Sequence, residues 1–495
     1  MGALKPVLLL LLFALAVAVA AATKEKDPEL EQCKHQCRVQ QQFDKKRADA
    51  CIQRCRDYYR QKQGGGGDDD DDEDDLIISL PSERESESQW GSGKEASNNP
   101  YVFEHRHFFT GIKTQQGRLQ ILPKFTDRSP FLRGIENFRF SFLEVEPQSF
   151  IIPDHWDAHN VAFVVRGRAT IKLVRPEPQG RESFNVQQGD IFRIRAGTTA
   201  YMINRDDNQK LLIAKILQPV SVPGHFEAFF AAGGENPESF FRSFSQDILQ
   251  AAFNTRKETL TRVFGEQKQG MILKASREQI RAMSSDEEES GDSNNSFNIF
   301  RQRPTTSNQY GQLYEVDSRD FKQLQDLDVA VSVANVTKGA MTAPVYNSES
   351  TKISFVMDGE GYLEVASPQS SVMSEQEQQQ QRAQERERRR RGIVAPPSYR
   401  RVASGLSPGM VFVVPPGFPY VTVASQKSNL QLLCFEVNAA QSQRFLLAGK
   451  KNVLINLEKE AKELAFGIPA REVDEFLKSQ QEEFFLRGPQ ERRSA

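Results

Sequence analysis

Residues 189–201 read GDIFRIRAGTTAY and residues 409–420 read GMVFVVPPGFPY, so one pattern occurs twice in the chain. Each stretch begins with a glycine, continues through a largely apolar run, and reaches a second glycine eight positions later. A further matched pair lies upstream, VVRGRATI at 164–171 and VMDGEGYL at 356–363. Self-similarity of this kind predicts that one structural unit is present in two copies.

Short, mostly apolar runs surround both repeats, and Gly, Pro, Asn and Asp separate them. The first set lies between Tyr101 and Pro219, and the second extends from QLYEV at 312–316 to LQLLCFEV at 430–437. Many short strands at close, regular spacing are typical of an antiparallel barrel or sandwich. The sequence therefore predicts a mainly β protein with two such barrels.

Each set of predicted strands is followed by apolar residues at helical spacing, within 223–265 and 440–486. In the first stretch GGENP at 233–237 separates at least two predicted helices, and Asn236-Pro237 is the expected start of the second. These helical arms carry rows of Phe and Leu beyond barrels whose cores are closed. We expect them to pack on another subunit, which favours a ring-shaped trimer with pseudo-sixfold symmetry. Packing within the same chain is the alternative.

The N-terminus has the features of a secretory signal peptide. Lys5 precedes an apolar run at 7–20, and alanines near its end offer cleavage sites. The run is short for a membrane span, which needs about 20 apolar residues, and no other segment approaches that length. A net charge of −2 also gives the chain no global attraction to nucleic acid or membrane. The sequence predicts a soluble protein made in an oxidising compartment, without nucleic-acid or membrane partners.

Four of the five cysteines, Cys33, Cys37, Cys51 and Cys55, form two C-x3-C pairs. This spacing places both thiols of a pair on one helix face, so residues 23–63 are predicted to be a disulfide-linked helical hairpin. Three pairings are open, and an antiparallel hairpin favours Cys33–Cys55 with Cys37–Cys51. Zinc binding with His35 is the weaker alternative, because secretion favours disulfides.

Cys434 lies in the apolar run LQLLCFEV and is predicted to be a buried free thiol.

Polar and charged segments mark the predicted boundaries between domains. An acidic run occupies 68–75, and a Gln- and Arg-rich insertion at 370–396 lengthens the second copy without adding apolar residues. The predicted organisation is a signal peptide at 1–22, the hairpin at 23–63, an acidic linker at 64–100, a first barrel with its arm at 101–275, a polar linker at 276–308, a second barrel with its arm at 309–486, and a tail at 487–495.

Several long segments together resemble vicilin, the 7S class of seed storage globulin with a two-cupin fold. They are RGIENFRFSFLEVEP at 133–147, the repeat that continues to residue 211, AGGENPESFFRSFS at 232–245, and the run from Asn335 to Pro368. The resemblance covers about 100–480 and implies a trimer held by swapped helical arms, storage in the protein vacuole of the seed, and recognition by IgE as a food allergen. The hairpin resembles cysteine-paired segments of vicilin precursors, some of which are released as antimicrobial or inhibitory peptides.

Because many cupins are metalloenzymes, the histidines are the candidate ligands. The chain has six, and none lies in the second barrel. In DHWDAHN at 154–160, alternation along a strand would place His155, Asp157 and His159 on one face. A later histidine is missing, and a catalytic metal normally keeps three protein ligands. We therefore favour a rim or subunit contact with no metal and no other cofactor.

Other candidate sites are few. His105 and His107 are predicted to be strand neighbours on one face near a surface. Where some vicilins bind copper, the resemblance places Ala343, Val345 and Phe418, which cannot ligate it. No nucleophile or phosphate-binding motif occurs in the required setting.

Two N-x-S/T sequons, at Asn335 and Asn294, are predicted glycosylation sites.

The favoured interpretation is a nutrient reservoir without catalytic residues, whose Gln- and Arg-rich insertion adds nitrogen. One alternative is a metal-dependent cupin enzyme that uses His155 and His159 of the first barrel. The other is a precursor of an antimicrobial or inhibitory peptide released from residues 23–63.

Overall fold

The computed structural model describes residues 99–177, 180–234, 236–284, 295–368 and 398–489. The predicted signal peptide, the cysteine hairpin, nearly all of the acidic linker, Asn294 and the insertion lie outside these residues. All of the described residues belong to one compact unit. Within them, no helix combines the length and the apolar character needed to cross a membrane.

The first half of the chain contains the following elements. The strands are β1 Val102–Phe103, β2 Phe109–Thr114, β3 Gly117–Ile121, β4 Arg139–Val145, β5 Ser149–Trp156, β6 Ala158–Arg166, β7 Arg168–Val174, β8 Arg181–Gln187, β9 Asp190–Ile194, β10 Thr199–Asn204, β11 Leu211–Pro219, β12 Ala228–Phe230 and β13 Ile272–Lys274. The α-helices are α1 Gln246–Phe253, α2 Lys257–Val263 and α3 Arg277–Ser284.

The second half repeats the arrangement. Its strands are β14 Ser296–Asn298, β15 Thr306–Asn308, β16 Gly311–Val316, β17 Val329–Val336, β18 Ala340–Thr342, β19 Val345–Asn347, β20 Thr351–Asp358, β21 Gly361–Pro368, β22 Tyr399–Leu406, β23 Val411–Val414, β24 Tyr420–Ala424, β25 Leu430–Val437, β26 Arg444–Leu446 and β27 Phe485–Arg487. Its α-helices are α4 Lys459–Phe466 and α5 Ala470–Leu477.

Each half folds into two antiparallel sheets packed face to face. The first barrel combines the sheet β14-β9-β6-β11-β4-β3-β2 with the sheet β12-β5-β10-β7-β8, where β13 also joins β5. The second combines β1-β23-β20-β25-β17-β16-β15 with β22-β21-β24-β18-β27, and β19 connects β24 to β26. The predicted fold class, two mainly β units each followed by helices, is confirmed.

The two halves exchange their leading strands. β1 precedes the first barrel but pairs with β23 of the second, with Val102 opposite Phe412. Reciprocally, β14 pairs with β9 of the first barrel, with Phe297 opposite Ile191. Each barrel is therefore completed by a strand from the segment that immediately precedes the other barrel in the sequence.

The exchange explains the first glycine of each repeat. Gly189 has φ +88°, and a Cβ there would lie 2.4 Å from the Phe300 ring, which follows β14. Gly409 has φ +85°, and a Cβ there would lie 2.4 Å from the His105 ring, which follows β1. Glycine is required because both the backbone angle and the close approach exclude a side chain.

Aromatic side chains fill the contact between the two barrels. Phe140 of β4 stacks on Phe355 of β20 with ring centroids 5.7 Å apart, and Phe142 stacks on the same ring at 5.1 Å. Phe435 of β25 meets Phe140 edge to face at 6.4 Å. All four rings are buried, so the outer faces of two sheets form an apolar interface.

The helical prediction for 223–265 is wrong in its first part. Ala228–Phe230 forms strand β12, which pairs with β5 and places Phe229 opposite His155. Asn236-Pro237 does not begin a helix. Helix α1 begins after Ser245, whose hydroxyl accepts a hydrogen bond from the Ile248 amide. The spacing of the phenylalanines is compatible with a helix and with a strand. Pairing with the distant strand β5 decides in favour of the strand.

The range 276–308, predicted to be a polar linker, contains ordered elements. Helix α3 buries Ile280 against Ala275 and Ile203, and β14 and β15 belong to the two barrels. Likewise the range 440–486 holds β26 and part of β27 as well as α4 and α5. Short strands at barrel edges carry too little periodicity to be found from sequence.

Candidate functional site: the barrel interiors

The three candidate metal ligands of the first barrel do not share one strand face. β5 ends at Trp156, Asp157 forms a bend, and β6 begins at Ala158. The predicted placement of these residues on one strand face is therefore wrong, because His155 and His159 belong to different strands.

Each candidate ligand also has another partner. The Asp157 Oδ1 accepts a hydrogen bond from the Glu227 amide at 2.7 Å. The His159 Nδ1 accepts one from the Ala196 amide at 3.1 Å. Within the described ranges, no group of three His, Cys, Asp or Glu residues could hold a metal ion.

His155 occupies a packing position of the duplicated framework. Its ring stacks on Phe229, with centroids 5.1 Å apart and planes inclined by 11°. In the second barrel Tyr346 stacks on Phe445 at 5.0 Å and 8°. The strand pairing is equivalent in the two barrels, because β12 pairs with β5 in the first and β26 pairs with β19 in the second. This position therefore requires an aromatic ring for packing, and the ring need not be an imidazole.

His159 contributes to the contact between the two halves. Arg193 lies 3.4 Å from its Nδ1 and donates hydrogen bonds to the Asp326 carboxylate at 3.0 Å and the Gln323 carbonyl at 2.9 Å. Burial, and then the positive charge of Arg193, lower the pKa of His159. Protonation of His159 is therefore less favourable than that of a free imidazole.

The predicted strand around His105 and His107 is a 3-10 turn, His105–His107. His105 is exposed and lies over Gly409, while the His107 Nδ1 accepts a hydrogen bond from the Glu104 amide at 2.8 Å. These histidines anchor the turn that follows the exchanged strand β1.

The interior of the first barrel holds one lysine and one carboxyl group in an apolar cavity of about 50 Å³. The Lys215 Nζ lies 5.3 Å from the centre of the Trp156 ring. Burial raises the pKa of Asp154 to about 7 and lowers the pKa of Lys215 to about 8. Lys215 was not predicted from the sequence, although a lysine within the apolar strand LLIAKILQP was a usable signal.

The interior of the second barrel is organised by a chain of ion pairs. The Lys352 Nζ lies 2.8 Å from the Glu436 Oε1. The Arg444 Nη2 lies 2.6 Å from the Glu315 Oε1 and 3.4 Å from the same Glu436 oxygen. Burial alone would raise the pKa of Glu436, but Lys352 and Arg444 lower it to about 2. This network was not predicted from the sequence, because its members come from four strands.

Other positions of the second barrel bear on the sequence predictions. Cys434 is a buried free thiol, as predicted, and the Ser354 hydroxyl donates a hydrogen bond to its Sγ at 3.3 Å. Ala343, Val345 and Phe418 are buried apolar side chains, which offer copper no ligand. The predicted sequon residue Asn335 is partly exposed near the end of β17.

Two barrels of this topology, closed on themselves and packed back to back, define a bicupin protein. The family model described as Cupin matches residues 127–260 and 297–474. The vicilin Jug r 6.0101 of Juglans regia is 51% identical over 94% of this chain and 92% of its own length. The vicilin Cor a 11.0101 of Corylus avellana is 48% identical over 94% of this chain and 96% of its own.

Solved structures agree with these relatives. The crystal structure of the hazelnut vicilin superposes with a TM-score of 0.70 and 52% identity, covering 79% of this chain and all of that one. The chain therefore belongs to the vicilin family, the 7S globulins of the bicupin superfamily.

We predict that the double variant His155→Ala/His159→Ala does not change the metal content of the purified protein. The reason is that, among the residues that the structure describes, the two imidazoles share no site with a third ligand. Elemental mass spectrometry of wild type, double variant and His105→Ala measures this. A metal bound at one equivalent and lost only in the double variant would contradict the prediction.

We predict that Glu436→Gln lowers the free energy of unfolding by about 3–5 kcal/mol at pH 7, because it leaves the buried Lys352 without a carboxylate partner and Arg444 with Glu315 alone. The pKa of Glu436 is lower in the folded protein than its ordinary 4.5, so its contribution is present above pH 4.5 and is lost as the pH falls toward 2. Denaturant unfolding from pH 7 to 2.5 should therefore show a weaker pH dependence in the variant.

The matched control is Glu364→Gln, which removes the partner of the exposed Arg401 in the same barrel and should change stability by less than about 1 kcal/mol. Equal effects of the two variants would refute the role assigned to the buried network.

Proposed function

We infer that this protein is a seed storage globulin, a reservoir of nitrogen and amino acids that is consumed at germination. The observation that carries this function is the 51% identity to a vicilin across nearly the whole of both chains. Close packing of the two barrels suits storage, because a folded, buried backbone is protected from proteolysis until it is needed.

We propose further that the protein has no catalytic activity. In the described part of the chain, the candidate ligands are engaged in stacking or hydrogen bonds, and Cys434 is buried away from solvent. This supports storage over the alternative of a metal-dependent enzyme. The other alternative, a peptide released from residues 23–63, lies outside the described residues and remains a hypothesis from the sequence.

We propose that the chain forms a homotrimer through its helical arms. The second arm exposes large apolar side chains, with Leu464 87% and Phe476 73% accessible. The first arm also exposes Ile248, Phe253 and Val263. Burying each such side chain contributes about 1.5–3 kcal/mol, and head-to-tail contact between unlike arms closes into a ring.

Location and recognition follow from the same family membership. We propose that the precursor enters the secretory pathway through residues 1–22 and that the mature protein accumulates in the protein storage vacuole of the seed. We also propose that IgE of sensitised people binds the protein, as the resemblance to vicilins implies.

The storage function predicts a specific time course in the seed. Immunoblots with an antibody against the barrels should show an abundant band in dry seed that declines during germination, because a reservoir is degraded when nitrogen is needed. A housekeeping enzyme on the same blot serves as the control. A level that stays constant through seedling growth would contradict storage.

The trimer proposal predicts that Leu464→Asp/Phe476→Asp converts the trimer to monomers, because charged groups cannot be buried in an apolar contact. Light scattering after size exclusion measures the mass of each species. The control is Tyr399→Asp on β22, an equally exposed aromatic position outside the arms. A double variant that remains trimeric, or a wild type that is monomeric, would overturn the proposal.

A further inference from the structure

The interior of the first barrel contains an amine that the storage function does not use. Lys215 lies on β11 between Ile213 and Leu217, which share its face of the strand and belong to the apolar core. Among the residues that the structure describes, the Lys215 amine forms no hydrogen bond and no ion pair. The centre of the Trp156 ring lies 5.3 Å from its Nζ. An amine enclosed in this way loses the hydration of its charged form.

Lys215 and Asp154 line the same cavity of about 50 Å³. Arg195 is the only other charged residue of the lining, and most of the remaining lining residues are apolar. The Arg195 side chain is 60% exposed, so the cavity reaches the protein surface beside it. A single water molecule needs about 10–15 Å³ of such space. The cavity therefore has room for a molecule of about three or four non-hydrogen atoms.

The second barrel shows that the framework does not require Asp154. His155 and Tyr346 are equivalent, because each stacks on a phenylalanine of the equivalent edge strand. The residues on either side of these two rings differ between the barrels. They are Asp154 and Trp156 in the first barrel, and Val345 and Asn347 in the second. An apolar side chain thus takes the place of the carboxyl group.

The framework does not require Lys215 either. The residue that pairs with Lys215 on β6 lies five positions before Gly167. The residue that pairs with Cys434 on β20 lies five positions before Gly359, the same glycine of the repeat. Lys215 therefore corresponds to Cys434, whose thiol is buried. The amine and the carboxyl group are found together in one copy only.

Burial shifts both groups toward their neutral forms. It lowers the pKa of Lys215 to about 8 and raises the pKa of Asp154 to about 7. At pH 7 roughly one amine in ten is then unprotonated, against fewer than about one in a thousand for an ordinary lysine. The cavity thus combines a nucleophilic amine with a carboxylic acid, and such an amine attacks carbonyl compounds while the acid can supply a proton.

We propose that Lys215 forms an imine with a small aldehyde that enters this cavity, and that Asp154 supplies the proton for the loss of water. The Nζ lone pair attacks the carbonyl carbon, and a proton moves from the nitrogen to the carbonyl oxygen. The resulting hydroxyl group leaves as water with the proton of Asp154. The products are a protonated imine, the Asp154 carboxylate as its counter-ion, and one water molecule.

This reaction needs no oxidant, no reductant and no metal, because the amine, the acid and the aldehyde supply every atom. It modifies each chain once and involves no turnover. The proposal is therefore independent of the storage function and of the absence of catalysis. The dimensions of the cavity restrict the aldehyde to about two or three carbon atoms.

The test is labelling of the full-length protein at pH 7 with acetaldehyde and sodium cyanoborohydride, which reduces the imine to a stable N-ethyl-lysine. Mass spectrometry of the digested protein gives the labelling rate of each lysine. Lys215 should be labelled at least about ten-fold faster than the exposed Lys427, because a larger fraction of its amine is neutral. Lys352, which is buried but lies 2.8 Å from the Glu436 carboxylate, should not react.

Benzaldehyde tests the role of the cavity. Its ring is too large for the space beside Lys215, so it should label Lys427 and leave Lys215 unlabelled. Lys215→Met, which keeps the length of the side chain without the amine, should lose the rapid label and keep the rate at Lys427.

Asp154→Asn tests the proton donor. The Asp154 carboxylate favours the charged form of Lys215, so its removal would speed the labelling if only the neutral amine mattered. Proton donation predicts the opposite, a rate at Lys215 about ten-fold lower or less, because general acid catalysis contributes about 100–10,000-fold. Unfolding curves show whether the variant is folded.

Labelling of Lys215 no faster than that of Lys427 overturns the proposal. So does labelling of Lys215 by benzaldehyde at the same rate, relative to Lys427, as by acetaldehyde. A folded Asp154→Asn protein that is labelled as fast as the wild type, or faster, overturns the role of Asp154. Should that variant fail to fold, the comparison of the two aldehydes on the wild type decides.

Discussion

The back-to-back contact of the two barrels is the interaction on which the rest of the structure depends. Phe140 and Phe142 project from β4 toward Phe355 and Phe435, while Leu143 and Val145 of the same strand enter the core of the first barrel. A strand that is covered on both faces is buried along its whole length, including its polar residues. This is why every residue of Arg139–Val145 and Val411–Val414 is buried. The exchanged strands β1 and β14 extend the contact. Gly189 and Gly409, which begin the two repeats, allow the residues that follow these strands to pack closely against the barrel backbone.

The duplication provides an internal comparison that a single barrel could not give. Positions that serve the framework keep their role in both copies even when the residue type changes, as with His155 on Phe229 and Tyr346 on Phe445. A histidine at such a position looks like a ligand in the sequence, but its copy shows that the position requires a flat ring. Positions that differ in size and polarity, such as Trp156 and Asn347, mark where the two interiors have diverged. The duplicated framework therefore separates packing residues from candidate binding residues without reference to any other protein.

The repeat and the alternating runs were enough to predict the two barrels, because both features are local in the sequence. Strand β12 could not be predicted, since Phe229 and Phe230 fit a helical spacing and only pairing with His155, far along the chain, makes them a strand. The ion-pair network of the second barrel was missed for a similar reason. Lys352, Glu436 and Arg444 lie on three different strands, so their proximity depends on register and not on spacing. The signal available for this network was the presence of single charged residues within apolar strands. Such residues indicate a buried ion pair only if their side chains are assumed to be buried.

A storage function constrains the two parts of this molecule differently. The contact between the barrels must be kept, because it holds the folded chain together and protects it from proteolysis. Under the proposed storage function, the barrel interiors carry no such constraint as long as each of them is stable. The first interior could therefore acquire the large side chains of Arg139, Trp156 and Phe226, while the second acquired a network of buried ion pairs. Divergence of interiors inside a fixed framework is what a protein selected for its bulk composition would be expected to show.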